Sequence, residues 1–407
     1  MHMELKINFV DLKLTDADSK LLDASKYLWS NIPTVHYKKI KSTNINYLPV
    51  FIRTPYTTDA IWNKIPNDVY LLMQQSKIKP LIIMVTEQWD LFNTYAWDKN
   101  KFNITPDFKD IPYSVIIKKF TERSIAEENI TWVVPHYTGV TNQILFLKSK
   151  GYKVSCKFLE FDFFRHQIRN HTVNYKLKNK NFKKKYACLC QSKRIAPHRL
   201  GIIYQLFFKN ILDQGIISCT PYQNIIESKR HNWINDQIDA DTFMSFFDKF
   251  KENKEKFLSI LPINFDNKIN THFSKEGFDE TYIFDNCFLW ISNETRKEHD
   301  GIFITEKTWK SIAYGNPFCI NGDNGSLDYL KSLGFKTFDK WWDESYDNDE
   351  IYLKIKKISN IIEMLCKKST KEIESMYHEM LPVLKHNQEL LQNFNGFQKL
   401  LEELNNG

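Results

Sequence analysis

Short apolar runs that end in polar residues recur along this chain and alternate with stretches of helical character. In the first half these runs are "KPLIIMVTEQ" (79–88), "YSVIIKKF" (113–120) and "NITWVVPHYTG" (129–139), bounded by Pro, Asn or Asp. Such runs are typical of strands that are buried on both faces, as in parallel sheets. Strands that alternate with helices therefore predict a parallel α/β sheet, and this limits the fold more than any other feature.

The second half of the chain shows the same alternation. "YACLCQ" (186–191) and "IISC" (216–219) are predicted strands, and Pro197 suits the first turn of a predicted helix between them. "YIFDNCFLWISNET" (282–295) is a further predicted strand that ends in polar residues. A second α/β domain of similar size is therefore expected.

A polar segment, "NYKLKNKNFKKK" (174–185), separates the two halves and contains six lysines. Two interpretations are open: a solvated linker between domains, or a basic patch that contacts phosphate groups. The predicted organisation is a first α/β domain (1–173), a basic linker (174–185), a second α/β domain (186–350) and C-terminal helices (351–407), which Pro382 kinks or divides.

The composition is that of a globular protein, with 42% hydrophobic and 26% charged residues among 407. The formal charge of +7 is compatible with an anionic ligand but weak for a nucleic-acid-binding protein. No apolar stretch reaches the roughly 18 residues of a membrane span, and the N-terminus lacks the apolar region of a secretory signal. The seven cysteines form no CxxC pair. We therefore expect a soluble protein of the cytoplasm.

Several motifs that would indicate a cofactor are missing. The sequence contains neither GxxxxGK[ST] nor GxGxxG, so a P-loop kinase or a dinucleotide-dependent oxidoreductase is not indicated. It also lacks HExxH, and its 11 histidines show no metal-ligand spacing. Asp-x-Asp pairs occur at 16/18, 239/241 and 347/349, in polar loop-like or helix-like sequence rather than at strand ends. We expect no metal and no cofactor.

One short predicted helix has an unusual first turn. Thr305 is placed to cap it, Gly315 ends it, and Glu306 and Lys307 occupy the first turn. A glutamate suits the positive end of the helix dipole, whereas a lysine opposes it unless an anion is also present. The unpaired N–H groups of a helix N-terminus can bind phosphate. The alternative is a solvated first turn in which both side chains face water.

A second basic turn follows the predicted strand at 186–191. The stretch "QSKRIAPHR" contains four basic side chains at or near the start of the next helix: Lys193, Arg194, His198 and Arg199. The flat guanidinium of arginine can bind two phosphate oxygens at once. Two basic strand-to-helix turns in one domain predict a shared anionic ligand, a nucleotide diphosphate. A basic loop without a ligand is the alternative.

The order of these motifs resembles the family 10 glycosyltransferases, the α-1,3-fucosyltransferases. In that family a Phe-Glu-Asn-Ser-like stretch precedes Tyr-Val-Thr-Glu-Lys, a short helix and a Pro-led strand that ends in Gly. Here Ile304–Lys307 matches the Thr-Glu-Lys motif, 316–322 matches the strand, and "SNET" stands near the Phe-Glu-Asn-Ser position. The similarity covers roughly residues 186 to 325. The segment 333–347 is also similar to sequences of large viruses or phages, which would place the protein in a host cytoplasm.

The resemblance implies a GT-B architecture, in which two Rossmann-like domains face each other across a cleft. It implies a GDP-linked sugar donor in the C-terminal domain, an acceptor glycan on the N-terminal side, inversion at the anomeric carbon and no metal. Carried over to this sequence, Arg199 and Lys307 would bind the diphosphate, and Glu306 the sugar or ribose. Glu294 would take the place of the family's acidic residue. The implied donor site also includes Lys193, Arg194 and Thr305.

A general base is expected from the N-terminal domain, because an inverting transferase needs one carboxylate to accept the proton of the acceptor hydroxyl. In the family it is a glutamate that follows a strand, and Glu87 stands in a comparable place after "LIIMVT". His136 and Asp90 are the alternatives. Aromatic residues of the segment 89–102 could stack on a sugar ring, although such residues are more often part of a core.

Two other functional classes remain open. The protein could glycosylate modified bases of viral or phage DNA and use its lysine-rich segment to hold phosphates. It could also be a catalytically inactive binding protein of GT-B shape.

Overall fold

The computed structural model describes residues 7–12, 33–40, 43–52, 62–84, 112–134, 144–145, 148, 153–178, 180–190, 197–219, 240–263, 281–294 and 302–406. The chain divides into two compact units, and each contains a parallel sheet. The first unit is Met1–Phe163 with Asn395–Gly407, and the second unit is Phe164–Phe394. The division at 163 lies ten residues before the predicted boundary at 173. The last helix belongs to the first unit, whereas the sequence predicted a separate helical region from 351 to 407.

The described strands and helices follow one another in this order. The strands are β1 (Ile7–Asp11), β2 (Thr34–His36), β3 (Ile45–Ile52), β4 (Lys79–Met84), β5 (Thr131–Val134), β6 (Lys157–Glu160), β7 (Lys184–Cys190), β8 (Gly215–Cys219), β9 (Cys287–Asn293) and β10 (Phe318–Asn321). The helices are α1 (Asn67–Gln74), α2 (Pro112–Thr121), α3 (Phe163–Thr172), α4 (Pro197–Phe208), α5 (Ala240–Ser245), α6 (Phe250–Ser259), α7 (Thr281–Asn286), α8 (Glu306–Tyr314), α9 (Ser326–Ser332), α10 (Ile351–Cys366), α11 (Thr370–Gln392) and α12 (Gly396–Asn405).

The first sheet has the strand order β2-β1-β3-β4-β5-β6, and all its pairs are parallel. Successive strand residues enter different cores, because side chains alternate across a sheet. Val10, Leu48 and Ile82 pack in the core that contains residues of α1 and α2. Their neighbours along the strands pack in another core, which contains Leu400 and Leu404 of α12. Both faces are covered, as the continuous apolar runs predicted.

One predicted strand of this unit is wrong. The run 113–120 lies in the helix α2. Tyr113, Ile116 and Phe120 are buried at intervals of three and four residues, which is the spacing of one helix face. The prediction weighted the short apolar run "VII" above this period. The predicted strands at 79–88 and 129–139 are confirmed as the shorter β4 and β5.

The second sheet has the described strand order β10-β9-β7-β8, again with parallel pairs. Read from the other edge, the order is β8-β7-β9-β10. The described strands then lie in the order second, first, third and fourth along the chain. The first four strands of the first sheet, β2-β1-β3-β4, have the same order. The predicted strands at 186–191 and 216–219 are confirmed as β7 and β8. The predicted strand at 282–295 is correct only in its second half, because residues 281–286 form α7. The protein is thus α/β with two parallel sheets and a helical C-terminal region.

The lysine-rich segment is not wholly solvated, contrary to the linker interpretation. Lys180 is buried and its Nζ donates to three acceptors: Phe284 O (3.0 Å), Tyr314 O (2.7 Å) and Asn316 Oδ1 (2.5 Å). Tyr314 is the last residue of α8, so the lysine lies at a helix C-terminus, where a cation is favourable. Phe182 is also buried, in the core of the second unit. Part of the segment is therefore a structural element of that unit.

Replacing Lys180 with methionine is expected to remove a pH dependence of stability. Burial lowers the pKa of Lys180 to about 7, although the nearby Cys287 and Asp285 oppose this. The pKa of a lysine in the unfolded chain is about 10.4. Between about pH 7 and pH 10.4, the unfolded chain therefore binds more protons than the folded protein. The free energy of unfolding of the wild type, relative to Lys180→Met, should therefore increase as the pH rises from about 7 to 10. Urea unfolding at several pH values measures this. A constant difference would mean that Lys180 stays protonated throughout.

The helix α8 begins and ends where the sequence predicted. Thr305 is its N-cap, and its hydroxyl accepts a hydrogen bond from the Lys307 N–H (3.5 Å). Gly315 ends the helix in the left-handed conformation, with φ of 65°. A Cβ at Gly315 would lie 1.9 Å from Leu177 Cδ1, so both conformation and space require glycine there.

Replacing Gly315 with alanine is expected to lower the free energy of unfolding by about 2–4 kcal/mol, because strained backbone and a steric clash combine. Gly334→Ala is the matched control. Gly334 also has a positive φ (89°), but a Cβ there would meet nothing closer than 3.4 Å. Chemical denaturation of both variants separates the clash from the backbone strain. Equal losses in the two variants would contradict the role of the Leu177 contact.

Among the described residues, no helix is both long enough and apolar enough to cross a membrane.

Candidate anion-binding site

The topology of the second sheet defines where a ligand can bind. From β7 the chain passes through α4 to β8 on one side, and from β9 it passes through α8 to β10 on the other. The connections therefore diverge between the carboxyl ends of β7 and β9. In open α/β sheets, ligands bind in the crevice at such a switch point. The helices α4 and α8 begin at this edge, and their first turns carry Arg199 and Lys307.

Glu294 is the residue that connects these elements. It directly follows β9 and is fully buried. Its carboxylate accepts three hydrogen bonds from the start of α8: from Thr305 N (3.2 Å), Thr305 Oγ1 (2.5 Å) and Thr308 Oγ1 (2.6 Å). A negative charge at a helix N-terminus is also favoured by the helix dipole. Glu294 therefore fixes the position of α8 on the sheet.

The backbone carbonyl of Glu294 holds the start of the other helix. It lies 3.1 Å from His198 Nε2 and accepts a hydrogen bond from Arg199 Nη2 at 3.0 Å. Both donors belong to the first turn of α4 and are buried. A single residue thus positions the N-termini of both helices. The sequence predicted that these residues would be neighbours, and the structure brings them together.

Arg199 has an unusual environment for a charged side chain. It is only 5% exposed. Within the described part of the chain, its Nε has no hydrogen-bond partner and no carboxylate forms an ion pair with its guanidinium. Burying a cation without a counter-ion costs free energy, and a bound anion would offset that cost. Arg199 is therefore the strongest indication of an anionic ligand at this edge.

Glu306 and Lys307 form an ion pair in the first turn of α8. Lys307 Nζ lies 2.9 Å from Glu306 Oε1 and 3.0 Å from Thr305 Oγ1, and each side chain is about a quarter exposed. Burial raises the pKa of Glu306, but the charge and hydrogen bond of Lys307, with the charge of Lys310, hold this pKa below its usual range. The lysine that opposes the helix dipole is thus compensated within its own turn. It does not by itself require an external anion.

Two predicted donor-site residues have little access to a ligand. Thr305 and Glu294 are fully buried, and the polar atoms of both side chains bond to each other or to α8. Direct contact of either side chain with a donor would require α8 to move. We therefore assign Glu294 and Thr305 to positioning, in place of the donor binding that the resemblance implied.

The other predicted site residues lie outside the described residues. These are the donor-site residues Lys193 and Arg194, the predicted base Glu87, its alternatives His136 and Asp90, and the aromatic segment 89–102. Their roles stay predictions.

The sequence did not indicate several residues that pack around Glu294 and the ends of β9 and β10. Asn293 and Asn321 end the neighbouring strands β9 and β10, and Asn321 Nδ2 donates to Asn293 Oδ1 at 2.9 Å. Thr308 completes the bonds to Glu294. Gly322 lies so close that a Cβ there would be 2.8 Å from Glu294 Cβ. The signal that could have found them is that both "WISN" and "FCIN" end in asparagine, followed by glutamate and glycine.

The lysine-rich segment cannot share this ligand. Lys184 begins β7, whereas Arg199 follows its carboxyl end, and seven strand residues span about 20 Å. Its lysines also bond locally: Lys178 pairs with Asp285 at 2.6 Å, and Lys185 donates to Lys368 O at 2.9 Å. The segment therefore contributes no charge to the candidate site.

Two cavities of the described structure lie away from this edge. One, of about 810 Å³, lies between residues 173–178 and α11. The other, of about 960 Å³, lies in the first unit near the starts of β3 and β4. The amino ends of parallel strands are not where such sheets bind ligands. The candidate site therefore rests on topology and on Arg199, not on cavity size.

No cluster of three or more His, Cys, Asp or Glu side chains among the described residues is arranged to hold a metal ion. Of the Asp-x-Asp pairs, 347/349 is described in full. Asp347 accepts a hydrogen bond from Leu327 N (2.9 Å), and Asp349 pairs with Lys357 (2.7 Å). Both carboxylates therefore have structural partners.

Comparison with known proteins adds no family assignment: no protein-family model, no curated protein and no solved structure matches the chain. The resemblance to family 10 glycosyltransferases therefore depends on the motifs of the sequence alone.

Proposed function

We propose that the protein is an inverting, metal-independent glycosyltransferase. It transfers a sugar, fucose or a related one, from a nucleotide-diphosphate donor to a hydroxyl of a glycan. The observation that carries this proposal is Arg199, a buried guanidinium at the switch point of the second sheet that no carboxylate of the described residues pairs with. The family resemblance adds the nature of the anion, a diphosphate, and makes GDP the preferred nucleotide.

The proposed chemistry needs positive charge where the leaving group forms. The acceptor oxygen attacks the anomeric carbon, the bond from that carbon to the diphosphate breaks, and a general base takes the hydroxyl proton. Negative charge then develops on the diphosphate, and preorganised cations and N–H groups lower the energy of that transition state. Arg199, Lys307 and the first turns of α4 and α8 would supply this stabilisation in place of a metal. Glu87 is the proposed base.

The proposal includes a GT-B arrangement of the two units. Each unit has a parallel sheet, and the two sheets share the order of their first four described strands. This internal similarity is what two Rossmann-like domains would show. The donor would bind to the second unit, and the acceptor to the first.

The DNA-base transferase alternative is not favoured. It relied on the lysine-rich segment, whose lysines bond to neighbouring groups at the opposite edge of the sheet from Arg199.

A thermal-shift panel with GDP, UDP, CDP and dTDP tests the proposal. We expect GDP to stabilise the protein, by about 2.7 kcal/mol when its concentration is a hundred times the dissociation constant. A panel in which no nucleotide shifts the melting temperature would overturn the proposal. Release of the sugar from a GDP-sugar without acceptor then separates an enzyme from a catalytically inactive binding protein, because the latter would release none.

A further inference from the structure

Besides Lys180, another buried lysine lies near the candidate site, at the carboxyl end of β10. Lys354, in the first turn of α10, is fully buried. Its Nζ donates to the carbonyl oxygen of Gly322 at 2.9 Å. Gly322 directly follows β10, so the ammonium fixes the backbone at the point where that strand ends.

Gly322 in turn limits where Glu294 can lie. A Cβ at Gly322 would be 2.8 Å from Glu294 Cβ and 3.1 Å from its Cγ. Glu294 therefore occupies space that only a glycine leaves open at position 322, and its N–H donates to Asn321 O at 3.0 Å. Because packed interiors transmit displacements, a shift of the Asn321–Gly322 backbone would move Glu294 through this hydrogen bond.

Glu294 contacts both helices, so its position affects the placement of each. Its carboxylate bonds to Thr305 and Thr308 of α8, and its carbonyl bonds to Arg199 of α4. The path from Lys354 to the guanidinium runs through the hydrogen bond to Gly322 O and the peptide bond between Asn321 and Gly322. It continues through the hydrogen bond from Glu294 N to Asn321 O (3.0 Å) and ends with the hydrogen bond from Arg199 to Glu294 O. No step of the path is exposed to solvent, because Lys354, Glu294 and Asn321 are fully buried, Gly322 is buried and Arg199 is 5% exposed.

An acidic residue accompanies the buried lysine. Burial raises the pKa of Asp347, and the charge of Lys354 opposes that rise, so the two groups interact. Asp347 Oδ2 also accepts a hydrogen bond from Leu327 N, near the start of α9. Lys354 and Asp347 thus bond to the two ends of the segment between β10 and α9, at Gly322 and at Leu327. On the β9 side, Glu294 N–H bonds to Asn321 O.

We propose that Lys354 is a positioning residue for the anion site: through Gly322 and Glu294 it sets the placement of Arg199 and of the first turn of α8. This inference rests on the proposed function, because it assigns Lys354 a role in binding the donor diphosphate. Lys354 itself does not touch the ligand.

The test measures the affinity of the folded protein for GDP by calorimetry, well below the melting temperature. Lys354→Met removes the hydrogen bond to Gly322 and keeps the length of the side chain. We expect it to weaken GDP binding at least tenfold and to raise the KM for the donor, while the KM for the acceptor changes little. Gly322→Ala pushes on Glu294 directly and should weaken GDP binding to a similar extent.

Lys180→Met is the matched control. Lys180 is also a buried lysine that donates to carbonyl groups of the second unit, but these belong to Phe284 of α7 and to Tyr314, the last residue of α8. The Lys180→Met substitution should reduce stability but leave the affinity for GDP within about twofold of the wild-type value. This result would separate a positioning effect from general destabilisation.

The outcomes distinguish the two proposals. Wild-type protein that binds no GDP, UDP, CDP or dTDP would overturn the proposed function and this inference with it. Wild-type protein that binds GDP, with unchanged affinity in Lys354→Met, would overturn the inference alone. Should Lys354→Met not fold, Gly322→Ala decides: unchanged GDP affinity in that variant contradicts the inference.

Discussion

Replacing Arg199 with methionine is expected to leave the ligand-free protein at least as stable as the wild type and to weaken GDP binding about a hundredfold or more. These two effects have one cause. The guanidinium is buried, and within the described ranges no carboxylate pairs with it, so its removal ends a desolvation cost in the ligand-free protein. The same removal deletes charge-assisted hydrogen bonds to the proposed diphosphate, each worth roughly 1.5–3 kcal/mol.

Thermal unfolding with and without GDP measures both effects in one experiment. Arg169→Met is the matched control, because Arg169 also donates to a backbone carbonyl of the second unit, that of Gln392 at 3.1 Å, but lies in α3. That variant should keep the GDP-induced shift. An Arg199→Met protein that is much less stable and still binds GDP normally would show that Arg199 is purely structural.

Replacing Glu294 with methionine is expected to lower the free energy of unfolding by about 3–5 kcal/mol. Methionine is of similar length but has no oxygen, so Thr305 N–H and the hydroxyls of Thr305 and Thr308 lose their acceptor in a buried site. The individual losses do not add, since all three donors belong to one helix start. The first turn of α8 should also become less ordered, and GDP binding should weaken with it.

Glu363→Met provides the comparison for a glutamate at the surface. Glu363 pairs with Lys209 at 2.5 Å and Lys367 at 2.8 Å, and its side chain is 31% exposed. Ion pairs of this kind contribute about 0–1 kcal/mol. Urea unfolding of the two variants should therefore give clearly different losses. A loss below about 1 kcal/mol for Glu294→Met would contradict its role as the residue that fixes α8.

The sequence predicted best what depends on neighbours along the chain. The helix α8 is an example, because Thr305 and Gly315 define its ends through contacts within a few residues. The run 113–120 shows the limit of short windows: its apolar residues suggest a strand, and only the spacing of Tyr113, Ile116 and Phe120 reveals the helix. Lys180 looked like a linker residue, because its three acceptors lie more than 100 positions away.

The candidate site was predictable in its position but not in its bonding. The rule that ligands bind at strand ends placed Arg199 and Glu294 at the same edge, and the structure has them in contact. The sequence could not show that both carboxylate oxygens of Glu294 bond to the start of α8, or that Glu306 forms an ion pair with Lys307. These facts depend on side-chain geometry. The same holds for Arg199: only the structure shows that it is buried and that no carboxylate of the described residues forms an ion pair with it.

The position of α12 has a consequence for how the protein is made. Leu400, Leu401 and Leu404 complete a core of the first unit, whose sheet is encoded before residue 163. During synthesis, at about 5–20 residues per second, the 231 residues of 164–394 separate that sheet from its last helix. For roughly ten seconds to a minute, one apolar face of the nascent sheet has no α12 to cover it. A chaperone that shields apolar surface would therefore have to act on the first unit while the second unit is being synthesised.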